Sequence, residues 1–376
     1  MTAPPDLPPG ATGVITVDLD AIADNWRALG ALVTPAECGA VVKADAYGLG
    51  AIKVVPALAR AGCRTFFIAT PDEAEAARRF APDARLFALD GLLPGAASVF
   101  SANDIAPVLT SLEELAVWSA EATRTGKRLP AGLQIDSGLN RLGLSEDDVR
   151  TLASAPARLD GIDLRLVMSH LACADDPAHP HNETQRSNFD RLRTLLPPTP
   201  ASLAASDGLM LGARFHYDLV RPGYALYGGQ AFQGGPTPVR PAVTVEARVL
   251  QVRTLSPGDP VGYSATWRAA RPTRLAVISA GYADGIARAL SASTEREGGV
   301  IAIHGEAAPI VGRVSMDLIT ADVTDIAAAI APGDLATLVG PGLTVEAMGQ
   351  AGGTIGYEVL TRLGTRFARH YVGGGG

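Results

Sequence analysis

Cysteine is scarce in this chain of 376 residues, with three in all, and that scarcity removes several architectures. Cys38, Cys63 and Cys173 are odd in number and show no Cys-x-x-Cys spacing, so they build neither a disulfide framework nor a zinc knuckle. They read as reduced thiols, and no metal site is expected. Aromatic residues are few, at 5%, because Ala and Leu carry much of the apolar weight. No window approaches the ~18 apolar residues of a membrane-spanning helix, so no membrane partner is expected. Basic charge is in deficit: 32 Lys and Arg face 39 Asp and Glu, for a net charge of −7. Those cations are scattered, which excludes an electrostatic attraction to nucleic acid or to anionic lipid. Residues 1–13, rich in Pro and Ala, lack the basic start and apolar stretch of a secretory signal, so a cytoplasmic location is expected. They are expected to be a disordered tail, and residues 373–376, all glycine, a loose end. A Gly-x-Gly-x-x-Gly loop is missing too: Gly48-Leu49-Gly50 lacks the third glycine, and no Gly-x-x-x-x-Gly-Lys-Ser/Thr run occurs, which sets nucleotide binding aside.

What remains is an ordinary globular composition, 47% hydrophobic and 19% charged, in a chain long enough for two domains of the usual ~100–200 residues. Leu19, Ile22, Trp26, Leu29 and Val33 recur at spacings of three and four, predicting an amphipathic helix that Asp18 or Asp20 can cap. Short apolar runs then alternate with helical stretches: Gly39 to Val42, Phe66 to Ile68, Arg85 to Ala88, Ile105 to Leu109, Leu133 to Ile135, Leu164 to Met168, Ala201 to Ala205, and Leu219-Val220. This strand-then-helix rhythm predicts βαβ units that close as an α/β fold, a (β/α)8 barrel of the TIM type, over residues 14–238. The stretch from Gln230 to Pro241, dense in Gly and Pro, marks a boundary. Beyond it Val243, Val245, Ala247 and Val249 alternate with Thr244, Glu246 and Arg248. Residues 239–376 are therefore expected to form a mostly β C-terminal domain.

The first apolar run ends in Lys43, followed by Ala44-Asp45-Ala46-Tyr47-Gly48-Leu49-Gly50. A lysine at a strand's carboxyl end is as readily a solvated charge as a reactive group. Barrel enzymes nevertheless keep their chemistry there, and an amine so placed can condense with an aldehyde. Tyr47 sits near enough in the turn to donate its hydroxyl to a phosphate, or simply to pack. Arg141 lies in the loop Asp136 to Gly143 after the strand ending at Ile135, and Arg221 follows Leu219-Val220. Each sets a guanidinium at a strand's carboxyl end, although either alone reads equally well as a surface ion pair. An arginine facing a pyridine nitrogen donates without surrendering its proton, so the ring stays neutral and side reactions through a delocalised carbanion are curbed.

The segment Val41-Val42-Lys43-Ala44-Asp45-Ala46-Tyr47-Gly48 resembles the cofactor-lysine signature of bacterial alanine racemases. Asn140-Arg141-Leu142-Gly143, Ser169-His170-Leu171-Ala172-Cys173-Ala174-Asp175, Val220-Arg221-Pro222-Gly223, Val261-Gly262-Tyr263-Ser264-Ala265-Thr266-Trp267, Gly281-Tyr282-Ala283-Asp284-Gly285, Gly312-Arg313-Val314-Ser315-Met316-Asp317 and Thr354-Ile355-Gly356-Tyr357-Glu358 resemble that family too, in its order. The resemblance implies an isomerase that uses pyridoxal 5'-phosphate to interconvert L-alanine and D-alanine, supplying D-alanine for peptidoglycan. It implies a homodimer with shared active sites, each at one barrel's mouth and completed by the partner's β domain.

By that resemblance Lys43 holds the cofactor and serves one face of Cα, while Tyr263 from the other subunit serves the opposite face. A lone base that returns a proton to the face it came from gives no inversion. Arg141 matches the arginine beside the cofactor's phenolic oxygen and the substrate, Arg221 the one on the pyridine nitrogen, and His170 the histidine that hydrogen-bonds Arg221. Tyr47, Ser206, the N–H groups of Gly223 and Tyr224, and Tyr357 match the phosphate contacts. Met316 matches the residue whose N–H receives the substrate carboxylate, with Asp317 beside it, and Asp175, Tyr282, Arg288 and Arg313 resemble residues of the channel into the site.

Two positions depart from the family. Where many relatives carry a carbamylated lysine that orients the arginine, this chain has Gln134, whose amide oxygen can accept from Arg141 without charge. Ala205 stands where relatives often have Asn. Among rival functions, an amino-acid decarboxylase on the same plan lacks the Tyr263 motif, a non-catalytic cofactor carrier has no use for the β domain, and a racemase of another small amino acid such as serine stays open.

Overall fold

The computed structural model describes residues 8–374, and the chain divides into two units, residues 21–240 and residues 1–20 with 241–376. In the first unit the strands Ala40–Val41, Thr65–Ile68, Arg85–Ala88, Ile105–Leu109, Leu129–Gln134, Ile162–Met168 and Ala201–Ser202 lie side by side, all parallel. Thr65–Ile68, Ile105–Leu109 and Leu129–Gln134 are buried at every residue, the pattern of strands covered on both faces. The sheet closes through an eighth strand, Leu219–Val220. On one side Arg221 N donates to Ala204 O at 2.9 Å, and on the other Glu37 N, Gly39 N and Val41 N donate to Asp218 O, Val220 O and Pro222 O at 2.9, 2.9 and 2.8 Å. The result is the expected eight-stranded barrel, with helices between successive strands.

Local chemistry sets where those helices begin and end. Ser111 Oγ accepts from Glu114 N at 3.2 Å, and Gly126 ends the helix Leu112–Thr125 in the left-handed conformation. Ser145 and Asp148 exchange bonds in a capping box before Glu146–Ser154, each device satisfying amides that the helix leaves unpaired.

The second unit is mostly β, as expected. Its long strand Val243–Leu255 pairs with Gly13–Asp18 and Leu335–Val339, then with Thr273–Ile278, a pairing whose register shifts between Val249 and Gln251. Thr273–Ile278 in turn pairs antiparallel with Ile319–Asp322, Ile278 opposite Ile319.

One boundary differs from expectation. Gly13–Asp18, placed by its sequence at the start of the barrel, is a strand of the second unit, antiparallel to Val243–Leu255 and parallel to Ala368–Val372. Val14, Ile15 and Val17 are buried there, and a local pattern does not name a strand's distant partner. The expected tail narrows accordingly: residues 1–7 lie outside the described residues, while Ala11 O and Thr12 O accept from Arg248 Nε and N, each at 2.9 Å. At the other end Gly374 N donates to Asp20 Oδ1 at 2.9 Å, and residues 375–376 lie outside the described residues. No described helix is long and apolar enough to cross a membrane.

Candidate active site

Lys43 stands half-buried where Ala40–Val41 ends, at the carboxyl end of the barrel strands. After it Ala44, Asp45, Ala46 and Tyr47 all take positive φ, at 53°, 54°, 53° and 58°. A left-handed turn of four L-residues is disfavoured by roughly 1–2 kcal/mol each, so the surroundings must enforce it. Glu73 does this with both oxygens, Oε1 accepting from Ala44 N at 2.6 Å and Oε2 from Ala69 N at 2.8 Å. Its carboxylate ties together the ends of two neighbouring strands. Asp45 Oδ1 accepts from Ala51 N at 2.7 Å and joins the turn to the following helix.

The turn carries Tyr47 inward, its ring centroid 4.8 Å from that of Tyr227, whose hydroxyl donates to Val41 O at 3.1 Å. Burial, with the charge of Asp207 second, holds the Tyr47 hydroxyl well above the usual phenol range. It therefore stays protonated and available as a donor. A Cβ on Gly223 would lie 2.3 Å from Tyr47 Oη and 3.1 Å from Val41 Cβ, so glycine keeps open a cradle that any other residue would fill. Ser206 Oγ accepts from Gly223 N at 3.0 Å and Ala225 N at 3.1 Å, and Tyr224 between them is buried. A protonated phenol, a serine hydroxyl and converging backbone N–H groups at the start of a helical turn are a donor set that fits a phosphate.

Arg221 is 2% exposed. Its Nη1 donates to Ser202 Oγ at 2.6 Å, and its Nη2 to Ser169 O at 2.8 Å and Leu203 O at 3.4 Å. Burial lowers its pKa to about 9, which leaves it charged at neutral pH. Burial also pushes the His170 imidazole down, to about 3, with Arg221, Arg141 and Lys43 adding to the shift in that order. The ring therefore stays uncharged in the field of Arg221, Arg141 and Lys43. The expected hydrogen bond between His170 and Arg221 is corrected here: the guanidinium bonds run to Ser202, Ser169 and Leu203, and His170 meets Arg221 as a neighbour in its field.

Arg141 is exposed on a loop whose ends are fastened by backbone. Leu144 N donates to Gln134 O at 2.8 Å and Asp136 N to Leu144 O at 3.0 Å. Asp136 Oδ1 gathers Gly138 N, Leu139 N and Asn140 N at 2.9, 3.0 and 3.1 Å. Gln134, buried, donates from Nε2 to Leu142 O at 2.8 Å. Its amide nitrogen thus pins the loop's backbone. Behind the loop Gln185 Nε2 donates to His170 O at 3.0 Å, while its Oε1 accepts from Ala172 N at 2.8 Å. Ser137 and Ser169 share a hydroxyl bond of 2.7 Å. Ala205 makes a backbone bridge to Arg221. Asp175, half-buried in this unit, accepts from Gln233 Nε2 at 3.2 Å.

In the second unit Tyr263, 70% exposed, tips a hairpin whose arms pair Pro260 with Arg268 and Val261 with Trp267. Gly262 at φ 74°, Ser264 at 61° and Ala265 at 47° shape that tip. A Cβ on Gly312 would come within 2.9 Å of Val261 O, so the hairpin lies directly on the Gly312-Arg313 backbone. Arg313 Nη1 donates to Ser264 Oγ at 3.0 Å, which ties a cation to the residue that follows Tyr263.

Tyr282 and Met316 are brought together because Thr273–Ile278 and Ile319–Asp322 are neighbours. Tyr282 N donates to Ser315 O and Ala283 N to Met316 O, both at 3.0 Å. Tyr282 and Met316 are exposed at 43% and 53%, and Arg288 is exposed on the next turn. Asp317 Oδ1 accepts from Arg366 Nη1 at 2.6 Å. Tyr357 is half-buried on the helix Gly356–Thr361. Glu73, Ser202, Gln185 and Arg366 went unnoticed in the sequence because each acts on a backbone or a charge far from it in the chain, with no motif of its own.

Family descriptions of the alanine racemase N-terminal and C-terminal domains match residues 17–231 and 242–371. The alanine racemase of Rhizobium meliloti (strain 1021) is 46% identical over 371 residues, which is 97% of this chain and 98% of that protein. A protein named alanine racemase, catabolic, from Agrobacterium fabrum (strain C58 / ATCC 33970) is 46% identical over 365 residues, covering 96% of this chain and 93% of its own length. The crystal structure of alanine racemase from Bartonella henselae with covalently bound pyridoxal phosphate superposes with a TM-score of 0.92 at 40% identity, over 96% of this chain and 100% of that one.

Proposed function

The chain belongs to the alanine racemase family, and on that premise we infer that it interconverts L-alanine and D-alanine with pyridoxal phosphate as its cofactor, the D-alanine serving peptidoglycan synthesis. The observation that carries this is the donor set at the barrel mouth: Lys43 with Tyr47, Ser206, and Arg221 with Gly223 follow three strand ends of one barrel. Lys43 would hold the cofactor's aldehyde. Tyr47, Ser206 and the N–H groups of Gly223 and Tyr224 would hold its phosphate, with Tyr357 adding a phenol. Arg221 would face the ring nitrogen and Arg141 the phenolic oxygen. When bound, the cofactor withdraws electrons from the amino acid's Cα and so makes its hydrogen acidic.

This chain's own groups then decide what that acidity yields. Arg221 keeps its charge and its proton, so it donates to the ring nitrogen without protonating it. His170, uncharged beside it, adds no competing positive charge. Lys43 takes a proton from, or returns one to, one face of Cα. The opposite face needs a second group, and we assign it to Tyr263 of the partner subunit in a homodimer. Tyr263, Met316 and Ile355 are exposed at 70%, 53% and 62%, large apolar side chains whose exposure in one copy favours burial against a second. Arg313 donates to the hydroxyl of Ser264, the residue after Tyr263, and so fastens the hairpin tip that carries it. Met316 would offer its N–H to the substrate carboxylate, and Asp175, Tyr282, Arg288 and Arg313 would line the way in. The enzyme is placed in the cytoplasm.

The reaction is tested by incubating the purified protein with single L-amino acids in deuterated water and following chirality and Cα deuteration. Alanine should racemise fastest and take up deuterium at Cα. Racemisation of serine alone would overturn the substrate assignment, and no exchange with any amino acid would overturn the function.

A further inference from the structure

Arg366 lies outside every motif that pointed to the site, yet its guanidinium joins two of them. Nε and Nη2 donate to Asp284 Oδ1 and Oδ2 at 2.7 and 2.6 Å, and Nη1 donates to Asp317 Oδ1 at 2.6 Å. Asp284 is 1% exposed, and its Oδ2 also accepts from Gly281 N at 2.9 Å. The turn it holds presses on Met316 with no slack: a Cβ on Gly281 would lie 2.2 Å from Met316 O and 2.5 Å from Asp317 N. Met316 O is engaged by Ala283 N. The Met316 N–H itself has no partner among the described residues. One bidentate arm therefore fixes the Gly281 turn, the other arm fixes the residue after Met316, and the free amide sits between them.

We propose that Arg366 is a positioning residue for the substrate's carboxylate, aiming the Met316 N–H by clamping Asp284 and Asp317 on either side of it; this rests on the carboxylate role given to Met316 above. The planar fork of an arginine is what spans two carboxylates at once. Asp317, carried forward from the sequence as a substrate contact, acts through Arg366 and not on the substrate.

The test uses holoenzyme labelled with 15N-methionine, the Met316 amide being assigned by its loss in Met316→Leu. Propionate, a carboxylate without the reacting amine, is titrated in. In the unaltered protein the Met316 resonance should move. In Arg366→Gln and in Asp317→Asn propionate should bind ~tenfold more weakly, and KM for alanine should rise by a similar factor with kcat within ~twofold, the scale of one lost charge-assisted contact. Arg366→Gln strands a buried carboxylate and can fail to fold, in which case Asp317→Asn, altered at an exposed group, decides. Unchanged propionate affinity and KM in a folded variant overturn the role of Arg366 and leave the racemase assignment standing. A fall in kcat that tracks thermal unfolding, with KM unmoved, shows a structural strut and overturns it equally. No movement of the Met316 amide in the unaltered protein overturns the carboxylate role of Met316 and this inference with it.

Discussion

At the scale of single residues the site is a set of protonation states fixed by surroundings. His170 illustrates it. Burial and three nearby cations hold its pKa at about 3, against ~6.5 for a free imidazole. As pH falls through ~6.5 the unfolded chain gains a proton that the folded chain refuses until about pH 3, so stability drops across that window and is fully present only above it. Replacing His170 by Asn should flatten the acid side of a stability-against-pH curve measured by denaturant unfolding; an unaltered slope would contradict the uncharged state. Much at this scale was legible. Lys43, Arg221 and Tyr47 showed themselves by standing after apolar runs, where barrel geometry gives such residues meaning. The backbone beneath them was not: Ala44-Asp45-Ala46-Tyr47 carries no glycine to announce four positive φ angles, and one of the groups that hold the turn, Glu73, lies 29 positions from Ala44. Arg366 was equally hidden, since its partners lie 82 and 49 positions away.

Elements were legible where periodicity ran long and obscure where it was short. The helix Leu19–Val33 and the alternating strand Val243–Leu255 follow their patterns, whereas the run Ala201 to Ala205 shrinks to the strand Ala201–Ser202 because its remaining residues turn to meet Arg221. The loop carrying Arg141 shows what a motif cannot say. Its sequence displays the arginine, but the scaffold is Asp136 Oδ1 gathering three amides and Gln134 pinning Leu142 O. Asp136→Ala should release the Leu139 and Asn140 amides, raising their hydrogen-exchange rates by ~tenfold or more as charge-assisted bonds are lost, with the barrel amides of Leu129–Gln134 unaffected. Exchange unchanged at Leu139 and Asn140 would show that the loop is held by something else.

On the scale of the whole molecule, the assignment of Lys43 and Tyr263 to different subunits makes a prediction that no single chain can satisfy. Lys43→Ala and Tyr263→Phe homodimers should each be nearly inactive. Mixed and allowed to exchange subunits, they should regain about a quarter of normal activity, because half of the random dimers are hybrids and each hybrid has one intact site of two. Activity that stays at the level of the parents after exchange, verified by mass spectrometry of the hybrids, would place both groups in one subunit. The strand Gly13–Asp18 adds a matter of timing. It is made before the barrel but pairs with Val243–Leu255 and Ala368–Val372, both made after it. At ~5–20 residues per second this strand waits unpaired, its valines exposed, through the synthesis of the whole barrel segment, so a chain stalled before Val243 would carry an apolar strand with no partner.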